Sequence, residues 1–160
     1  MSKLPFITQY VLRFLEMIKM AAKNKISFYY LTKAFFFPGR TSIKNNLVKL
    51  FSLEEKPLDN LTYVFCDDEY LLEINRSFLR HDYYTDIITF NLADKGKPVI
   101  GEIYISVERV RDNAALLHES FNRELKRVLF HGALHLCGYR DKKLSEKNVM
   151  RIMEEHYLSM

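Results

Sequence analysis

The sequence predicts one small α/β domain of the α+β kind, with a mixed sheet of about four strands packed by five or more helices. Its 160 residues, of which 48% are hydrophobic, are enough to build one core and too few for two full domains. Short runs rich in β-branched and aromatic residues alternate with longer segments of helical spacing. We therefore expect strands with helices interspersed. The sequence contains no internal repeat and no low-complexity segment.

The N-terminal segment is predicted to be an amphipathic extension, because its apolar residues recur at helical spacing. We place this extension at residues 1–24 and the domain proper at residues 25–160. The segment can dock on the core as a helix, form a poorly ordered extension, or bind a membrane surface or a partner, and the sequence leaves these alternatives open. Its apolar positions are Ile7, Tyr10, Val11, Phe14 and Ile18.

The first half of the domain is predicted to contain two strands with a helix between them. Residues 25–30 have the composition of a short strand, and a Pro-Gly pair follows as a turn signal. Thr41 or Ser42 can cap a helix that runs to about Leu53. The apolar run LTYVFC at residues 61–66 is typical of a buried strand.

A helix and two more strands are expected next. Asp67 directly follows the LTYVFC run and can cap a helix over residues 68–79. The pattern then changes to that of β-structure, because residues 86–91 and 99–106 are rich in β-branched and aromatic side chains. The charged segment between these two runs is typical of a turn.

Three helices are expected to complete the domain. Ser106 can cap the first of them, and Ser120 or Asn122 can open the second, which reaches Gly138. A glycine at that position is a common helix ending. The last helix is predicted at residues 145–157.

The charge of the chain is unevenly distributed. Its formal net charge is +4, but residues 1–50 contain nine basic residues against one acidic residue, which gives +8. Residues 51–160 contain fifteen basic against nineteen acidic residues, which gives −4. A basic front half is suited to a polyanionic partner, either a nucleic acid or an acidic membrane surface.

Cysteine usage and hydropathy bear on the location of the protein. Cys66 and Cys137 are far apart in the sequence and form no CxxC pair, so a disulfide framework is not expected and the cytoplasm is the simpler location. No uninterrupted apolar run reaches the roughly 18 residues that a transmembrane helix needs. We therefore predict a cytoplasmic protein without a membrane span.

Two histidines and an aspartate form the most informative motif of the chain. His131 and His135 are four residues apart, so on a helix they project from one face, one turn apart. Gly138 ends that helix and the reversed chain can return Asp141 to the same side. Three such ligands with one position left for water are typical of catalytic zinc, whereas structural zinc usually has four protein ligands. The motif predicts one Zn²⁺ at the end of a helix and a metal-dependent hydrolase.

Two other residues limit the chemistry of this motif. Zinc proteases with an HExxH motif need a glutamate directly after the first histidine, and this chain has Gly132 there. Peptide hydrolysis by that route is therefore disfavoured. Cys137 is expected to point to the opposite face of the helix, so we do not count it among the ligands.

The motif resembles the signature of the YbeY family of bacterial rRNA-maturation endoribonucleases, whose usual form is HGxLHLxGYDH. The likeness spans roughly residues 61–153, with a looser likeness from about Lys25, and its motifs occur in the family's order. They are INRSFLRHDYYTDIITF, IGEIYIS and HGALHLCGY followed by Asp141.

The resemblance implies a small α/β domain with one zinc ion and single-strand-specific RNA cleavage, linked to 16S rRNA 3′-end maturation and ribosome quality control. Carried over by position, the metal ligands are His131, His135 and Asp141. The family usually has a third histidine where this chain has Asp141, and an aspartate where it has Arg140. A carboxylate is an accepted zinc ligand, but it gives the site a harder character and can change its metal preference.

A second departure from the family concerns a basic residue thought to assist catalysis. The family places it four positions after the Asn that corresponds to Asn75, where this chain has Leu79, followed by Arg80. Arg80 can replace that residue through a local shift of the chain, and we take it as the candidate catalytic residue that contacts phosphate in the transition state. The alternative is a solvated loop residue. Further basic residues expected to position the RNA backbone are Arg140, Lys142 and Lys143.

Two other functions compete with nuclease activity. One is a non-catalytic ribosome-assembly factor, in which the metal only fixes the C-terminal helices and a fourth protein ligand closes the site. The other is a metallohydrolase of a different phosphoester or of an amide. The expected partners are RNA, meaning rRNA and ribosomal particles, together with ribosome-associated proteins, while the oligomeric state is not determined by the sequence.

Overall fold

The computed structural model describes residues 25–33, 35 and 37–160. The predicted amphipathic extension at residues 1–24 lies outside these described residues. In chain order the elements are β1 (Ile26–Tyr30), α1 (Arg40–Leu53), β2 (Leu58–Cys66), α2 (Asp68–Ile74), a π-helical turn (Asn75–Leu79), β3 (Ile87–Asn91), β4 (Val99–Ser106), α3 (Val107–Leu116), α4 (Phe121–Cys137) and α5 (Leu144–Leu158).

The strands form one mixed sheet in the order β1-β2-β4-β3. The β1-β2 and β2-β4 pairs are parallel, and β3 runs antiparallel to β4 at the edge. The parallel strands are joined by crossovers that contain helices, as parallel pairing requires. The prediction of a mixed four-stranded sheet in a single α/β domain is confirmed.

The two central strands are buried on both faces, which explains their nearly continuous apolar sequences. On one face, Tyr63 and Ile103 belong to the large core that the sheet shares with α1, α3, α4 and α5. The Tyr63 hydroxyl lies in that core and donates a hydrogen bond to the Leu129 carbonyl of α4 at 2.7 Å. On the other face, Cys66 of β2 packs with Ile88 of the edge strand β3 and with residues of α2 in a smaller cluster. Helix α4 is therefore fixed directly against the sheet.

Most helix beginnings agree with the caps expected from the sequence. The side chains of Asp67, Ser106 and Ser120 each accept a hydrogen bond from a backbone N–H in the first turn of the helix that follows. The prediction that Thr41 or Ser42 caps α1 is wrong. That helix begins at Arg40, because Gly39 takes the left-handed conformation at φ 72° and the chain enters the helix directly from the turn.

The helix predicted over residues 68–79 is also shorter than expected. It ends at Ile74, and residues Asn75–Leu79 continue as a π-helical turn closed by Arg80 at φ 57°. Such turns are uncommon and occur frequently at functional sites. Among the described residues, no helix combines the length and the apolar character that crossing a membrane requires.

Candidate metal centre

Helix α4 places the two histidines of the motif side by side. They lie one turn apart, with ring centroids separated by 4.5 Å and ring planes nearly perpendicular at 88°. The Nε2 atoms of His131 and His135 are 3.0 Å apart. Gly132 allows the close packing of this helix on the sheet, because an added Cβ would lie 2.8 Å from Ile103 Cδ1 and 2.9 Å from Ile87 Cδ1. A glutamate at that position, as zinc proteases require, would force these two isoleucine side chains to shift.

The chain reverses after α4 through a glycine in a left-handed conformation. Gly138 has φ 106°, and its N–H donates to the His135 carbonyl at 3.0 Å. The N–H of Tyr139 donates to the Leu134 carbonyl at 3.1 Å, which completes a Schellman ending. This turn returns Asp141 to the histidines, with its Oδ2 lying 3.6 Å from the Nε2 of each ring.

The Nδ1 atom of His131, on the ring side away from His135, contacts a carboxylate. This atom lies 2.6 Å from Oε1 of Glu154 on α5. Glu154 is buried, and it also accepts hydrogen bonds from one guanidinium nitrogen of Arg127 at 3.2 Å to each oxygen. Burial acts to raise the pKa of Glu154, but its hydrogen bond with His131 and the charge of Arg127 outweigh burial and lower the pKa below its usual value. Glu154 is therefore ionised and binds the Nδ1–H of His131.

Arg127 extends this pairing into a small buried charge network. Besides Glu154, it donates two hydrogen bonds, at 2.7 and 2.8 Å, to the carboxylate of Glu124, which is buried on the same helix. Buried charges are tolerated when they are paired and hydrogen-bonded. The orientation of His131 therefore depends on a contact between α4 and α5, in which Arg127 bonds a carboxylate from each helix.

His135 is oriented by a backbone carbonyl instead. Its Nδ1 lies 2.9 Å from the carbonyl oxygen of Tyr139, just after the Gly138 turn. The Tyr139 hydroxyl donates to Glu54 at the end of α1 at 2.9 Å, and Tyr157 donates to the other oxygen of the same carboxylate. Burial and the hydrogen bond to Glu54 raise the pKa of Tyr139 to about 12. Burial, followed by the nearby His131, lowers the pKa of His135 and favours its neutral form.

The three donor atoms fit a metal ion. Since each Nδ1 is engaged elsewhere, each histidine presents its Nε2, which is the arrangement expected of metal-binding histidines with an outer hydrogen-bond partner. Tetrahedral ligands about 2.0 to 2.1 Å from zinc lie roughly 3.3 Å from one another. The two Nε2 atoms are 3.0 Å apart and each is 3.6 Å from the Asp141 Oδ2, so the observed distances lie on either side of that value. Within the described part of the chain, this group of potential ligands has three members: His131, His135 and Asp141.

Cys137 is placed as expected, away from this group. It is buried in the core on the other side of α4. Burial, with the nearby Glu54, raises the pKa of its thiol to about 12, so the thiolate that binds metal is not available. Cys137 and Cys66 are both free.

The three donors lie in an open cleft of about 530 Å³. One wall comes from the π-helical turn and the loop and strand that follow it, and the rest comes from α4 and the loop after it. The side chain of Asp141 is 41% exposed, and all three donor residues line this open cleft. An open site of this kind leaves room for a water molecule and a substrate, whereas the non-catalytic alternative needs a fourth protein ligand.

Comparisons with known proteins identify the family. The family model described as Endoribonuclease YbeY matches residues 40–160. The chain belongs to this family. The YbeY endoribonuclease of Cytophaga hutchinsonii is 49% identical over 121 residues, which are 76% of this chain and 85% of that protein. That of Karelsulcia muelleri is 41% identical over 133 residues, which are 83% of this chain and 93% of that protein.

A solved structure supports the same fold. The solution structure of TM1509 from Thermotoga maritima has a TM-score of 0.56 and 26% identity, and the match covers 84% of this chain and 87% of that one. The prediction of YbeY family membership is confirmed, and with it the prediction that the chain is a nuclease and therefore a hydrolase.

The structure places the predicted basic residues differently with respect to the cleft. Lys142 lines the cleft. Arg80 is exposed and does not line it, although its sequence neighbours Leu79 and His81 both do. Arg140 is also exposed. The role of Arg80 in phosphate binding stays a prediction, since the side chain is exposed and does not line the cleft.

Sequence reasoning missed the residues that hold the histidines. Glu154 had a readable signal, because it is an acidic residue in the buried stripe of α5 between Met150 and Tyr157. An acid in such a stripe needs a buried partner. Glu54 gave no such signal, because it follows directly after the last residue of α1 and its two tyrosine partners are distant in the sequence.

Proposed function

We propose that this YbeY family member is a zinc-dependent endoribonuclease specific for single-stranded RNA, with the 3′ end of 16S rRNA as a physiological substrate and a role in ribosome quality control. The observation that carries the proposal is the convergence of His131 Nε2, His135 Nε2 and Asp141 Oδ2 on one point of an open cleft. Family membership supports RNA as the substrate.

The donor set explains what the chain would do with the metal. A zinc ion held here would supply a Lewis acid and lower the pKa of bound water to about 7. Two neutral imidazoles and one carboxylate would offset only one of the two positive charges of Zn²⁺. The remaining positive charge would attract a phosphodiester. Asp141 contributes the single negative charge, and replacing the family's usual histidine with it makes the site harder.

Hydrogen bonds behind the histidines keep these donors in place. Glu154 accepts from the Nδ1–H of His131, and the Tyr139 carbonyl accepts from the Nδ1–H of His135. Each contact fixes one tautomer and leaves the Nε2 lone pair free to bind metal. The site is therefore assembled by α4, α5 and the turn between them.

The polar residues around the cleft suit an RNA backbone. Lys142 lies in the cleft with the donors and can pair with a phosphate oxygen. Further contacts that do not depend on base identity would come from three exposed basic residues close in sequence to residues of the cleft: Arg80, Arg140 and Lys143. Ribosomal particles and ribosome-associated proteins are the proposed partners, and the cytoplasm, which keeps thiols reduced, is the proposed location.

The test is cleavage of RNA by purified protein with a measured metal content. We expect about one zinc per chain, cleavage of a single-stranded oligoribonucleotide, and loss of both metal and cleavage in His131→Ala and Asp141→Ala. The Cys137→Ser variant serves as a control for the same region, because Cys137 faces the core. Cleavage by chelator-treated protein as fast as by untreated protein would rule out the metal-dependent mechanism.

A second assay addresses the physiological substrate. The protein is incubated with 16S rRNA extended at its 3′ end, both free and within small ribosomal subunits, and the ends are mapped. We expect shortening of the 3′ extension, with paired regions left intact. Cleavage confined to small esters or amides, with RNA untouched, would favour the alternative metallohydrolase.

A further inference from the structure

The cleft contains two aromatic side chains that metal binding does not use. The rings of His81 and Tyr83 are stacked, with centroids 5.1 Å apart and planes inclined by 21°. The Tyr83 hydroxyl lies 3.0 Å from Nδ1 of His81, which ties the two rings together. Both residues line the same cleft as His131 and His135, yet Tyr83 is 58% exposed.

The loop that carries these rings is held by hydrogen bonds to Asn75 and by an ion pair. Asn75, which is only 2% exposed, donates from its Nδ2 to the Tyr83 carbonyl at 2.8 Å. The Asn75 carbonyl in turn accepts from the His81 N–H at 3.2 Å. Arg76 and Asp82 add an ion pair at 2.6 Å across the same loop. The two rings are therefore presented to solvent in a preorganised arrangement, which lowers the entropy cost of binding a flat ligand.

We propose that His81 and Tyr83 form a stacking platform for one unpaired base of the RNA, next to the phosphate that is cleaved at the metal centre. The inference rests on the proposed function and deepens it by assigning a binding site for a base. Aromatic side chains bind single-stranded RNA by stacking on its bases, which is tolerant of sequence because every base has a π-face. A base in a duplex is already covered by its neighbours, so the platform selects unpaired segments.

The surroundings of the platform agree with a nucleotide as the occupant. Leu79 lines the cleft beside His81 and is 43% exposed, which extends the apolar surface available to a base. Lys142 lines the same cleft and offers a cation to the phosphate of that nucleotide. A volume of about 530 Å³ lies within the range of about 300 to 1,000 Å³ that is typical of small-ligand sites.

The neighbouring Tyr84 provides a matched control. It is 43% exposed, so it resembles Tyr83 in type, position and exposure. Its hydroxyl donates to Glu69 at 2.5 Å, and its ring lies 4.6 Å from the guanidinium of Arg109. Tyr84 is not among the residues that line the cleft.

The first experiment uses fluorescence as a direct report of stacking. The chain contains no tryptophan, so Tyr83→Trp introduces a single indole at the platform and Tyr84→Trp introduces one beside it. Each variant is mixed with a short single-stranded oligouridylate by stopped flow, before cleavage accumulates, and separately with an RNA duplex. We expect saturable quenching in Tyr83→Trp by the single strand, and little quenching by the duplex or in Tyr84→Trp. Equal quenching in both variants, or none in Tyr83→Trp, would overturn the platform.

The second experiment measures cleavage of the same single strand. Removing one base-stacking side chain is expected to raise KM roughly 5- to 150-fold in Tyr83→Ala, with zinc content unchanged. Tyr83→Phe, which keeps the ring, should restore KM, and Tyr84→Ala should stay close to the unmodified protein. A Tyr83→Ala variant with an unchanged KM would refute the platform while leaving the nuclease intact. Absence of RNA cleavage by the unmodified protein would refute the proposed function, and the quenching result would still decide the platform.

Discussion

The Nδ1 atom of His131 lies 2.6 Å from Oε1 of Glu154, although the two residues are 23 positions apart in the sequence. This contact joins the helix that carries two of the proposed ligands to the last helix of the domain. It also determines which nitrogen of His131 is left for a metal. The properties of the centre are therefore expected to depend on α5, which contributes no ligand of its own.

Substitution of Glu154 tests this dependence. Glu154→Gln should lower zinc affinity about 10- to 100-fold, because outer partners of metal-binding histidines typically contribute that much. The measurement is a competition titration against a chelator of known zinc affinity. Glu155→Gln is the matched control, since Glu155 is the adjacent residue and pairs with Arg123 on the surface. Equal zinc affinity in the two variants would show that Glu154 does not support the site.

Metal removal should lower the thermal stability of the domain. A ligand present at 100 times its Kd stabilises the folded state by about 2.7 kcal/mol. For a chain of this size, that free energy corresponds to a rise in Tm of roughly 5 to 10 °C. Calorimetry with and without zinc provides the measurement, and His135→Ala should show no such rise. An equal rise in His135→Ala would mean that zinc binds elsewhere.

The aspartate in place of the family's third histidine should set the metal preference. Asp141→His replaces an oxygen donor with a softer nitrogen donor, so the ratio of zinc affinity to manganese affinity should increase. Affinities for both ions are measured by competition under the same conditions. Asp141→Ala should bind both ions weakly. A ratio that is unchanged in Asp141→His would indicate that Asp141 does not contact the metal.

The turn after α4 should be sensitive to the residue at its left-handed position. Gly138→Ala is expected to lower the free energy of unfolding by about 1 to 2 kcal/mol, because a Cβ disfavours the left-handed conformation. Gly138→Asn should cost less, because asparagine tolerates that conformation better. Denaturant unfolding of the metal-free proteins measures both changes. Stabilities that do not differ between the two variants would show that backbone strain at residue 138 is unimportant.

The sequence predicted those parts of the fold that depend on local patterns. The strand at Val99–Ser106 and the caps Asp67, Ser106 and Ser120 were all readable, because strand composition and capping act over a few residues. The start of α1 was not predicted correctly, because the chain enters this helix through the left-handed backbone conformation of Gly39, without a side-chain cap.

The candidate site divides in the same way. The spacing of His131 and His135 and the glycine turn before Asp141 indicated that the three side chains would meet, and their potential ligand atoms lie within 4.8 Å of one another. The hydrogen bonds that orient the rings involve residues brought together only by tertiary packing, as in the pair of Tyr139 and Glu54, 85 positions apart. A single sequence contains no local pattern that reveals such pairs.

The most direct test of the account is a zinc titration of metal-free protein, followed by cleavage of single-stranded RNA. If His131, His135 and Asp141 hold one catalytic ion, cleavage should increase in proportion to added zinc and stop increasing at about one equivalent. Full cleavage before any zinc is added, or none after one equivalent is bound, would contradict the account.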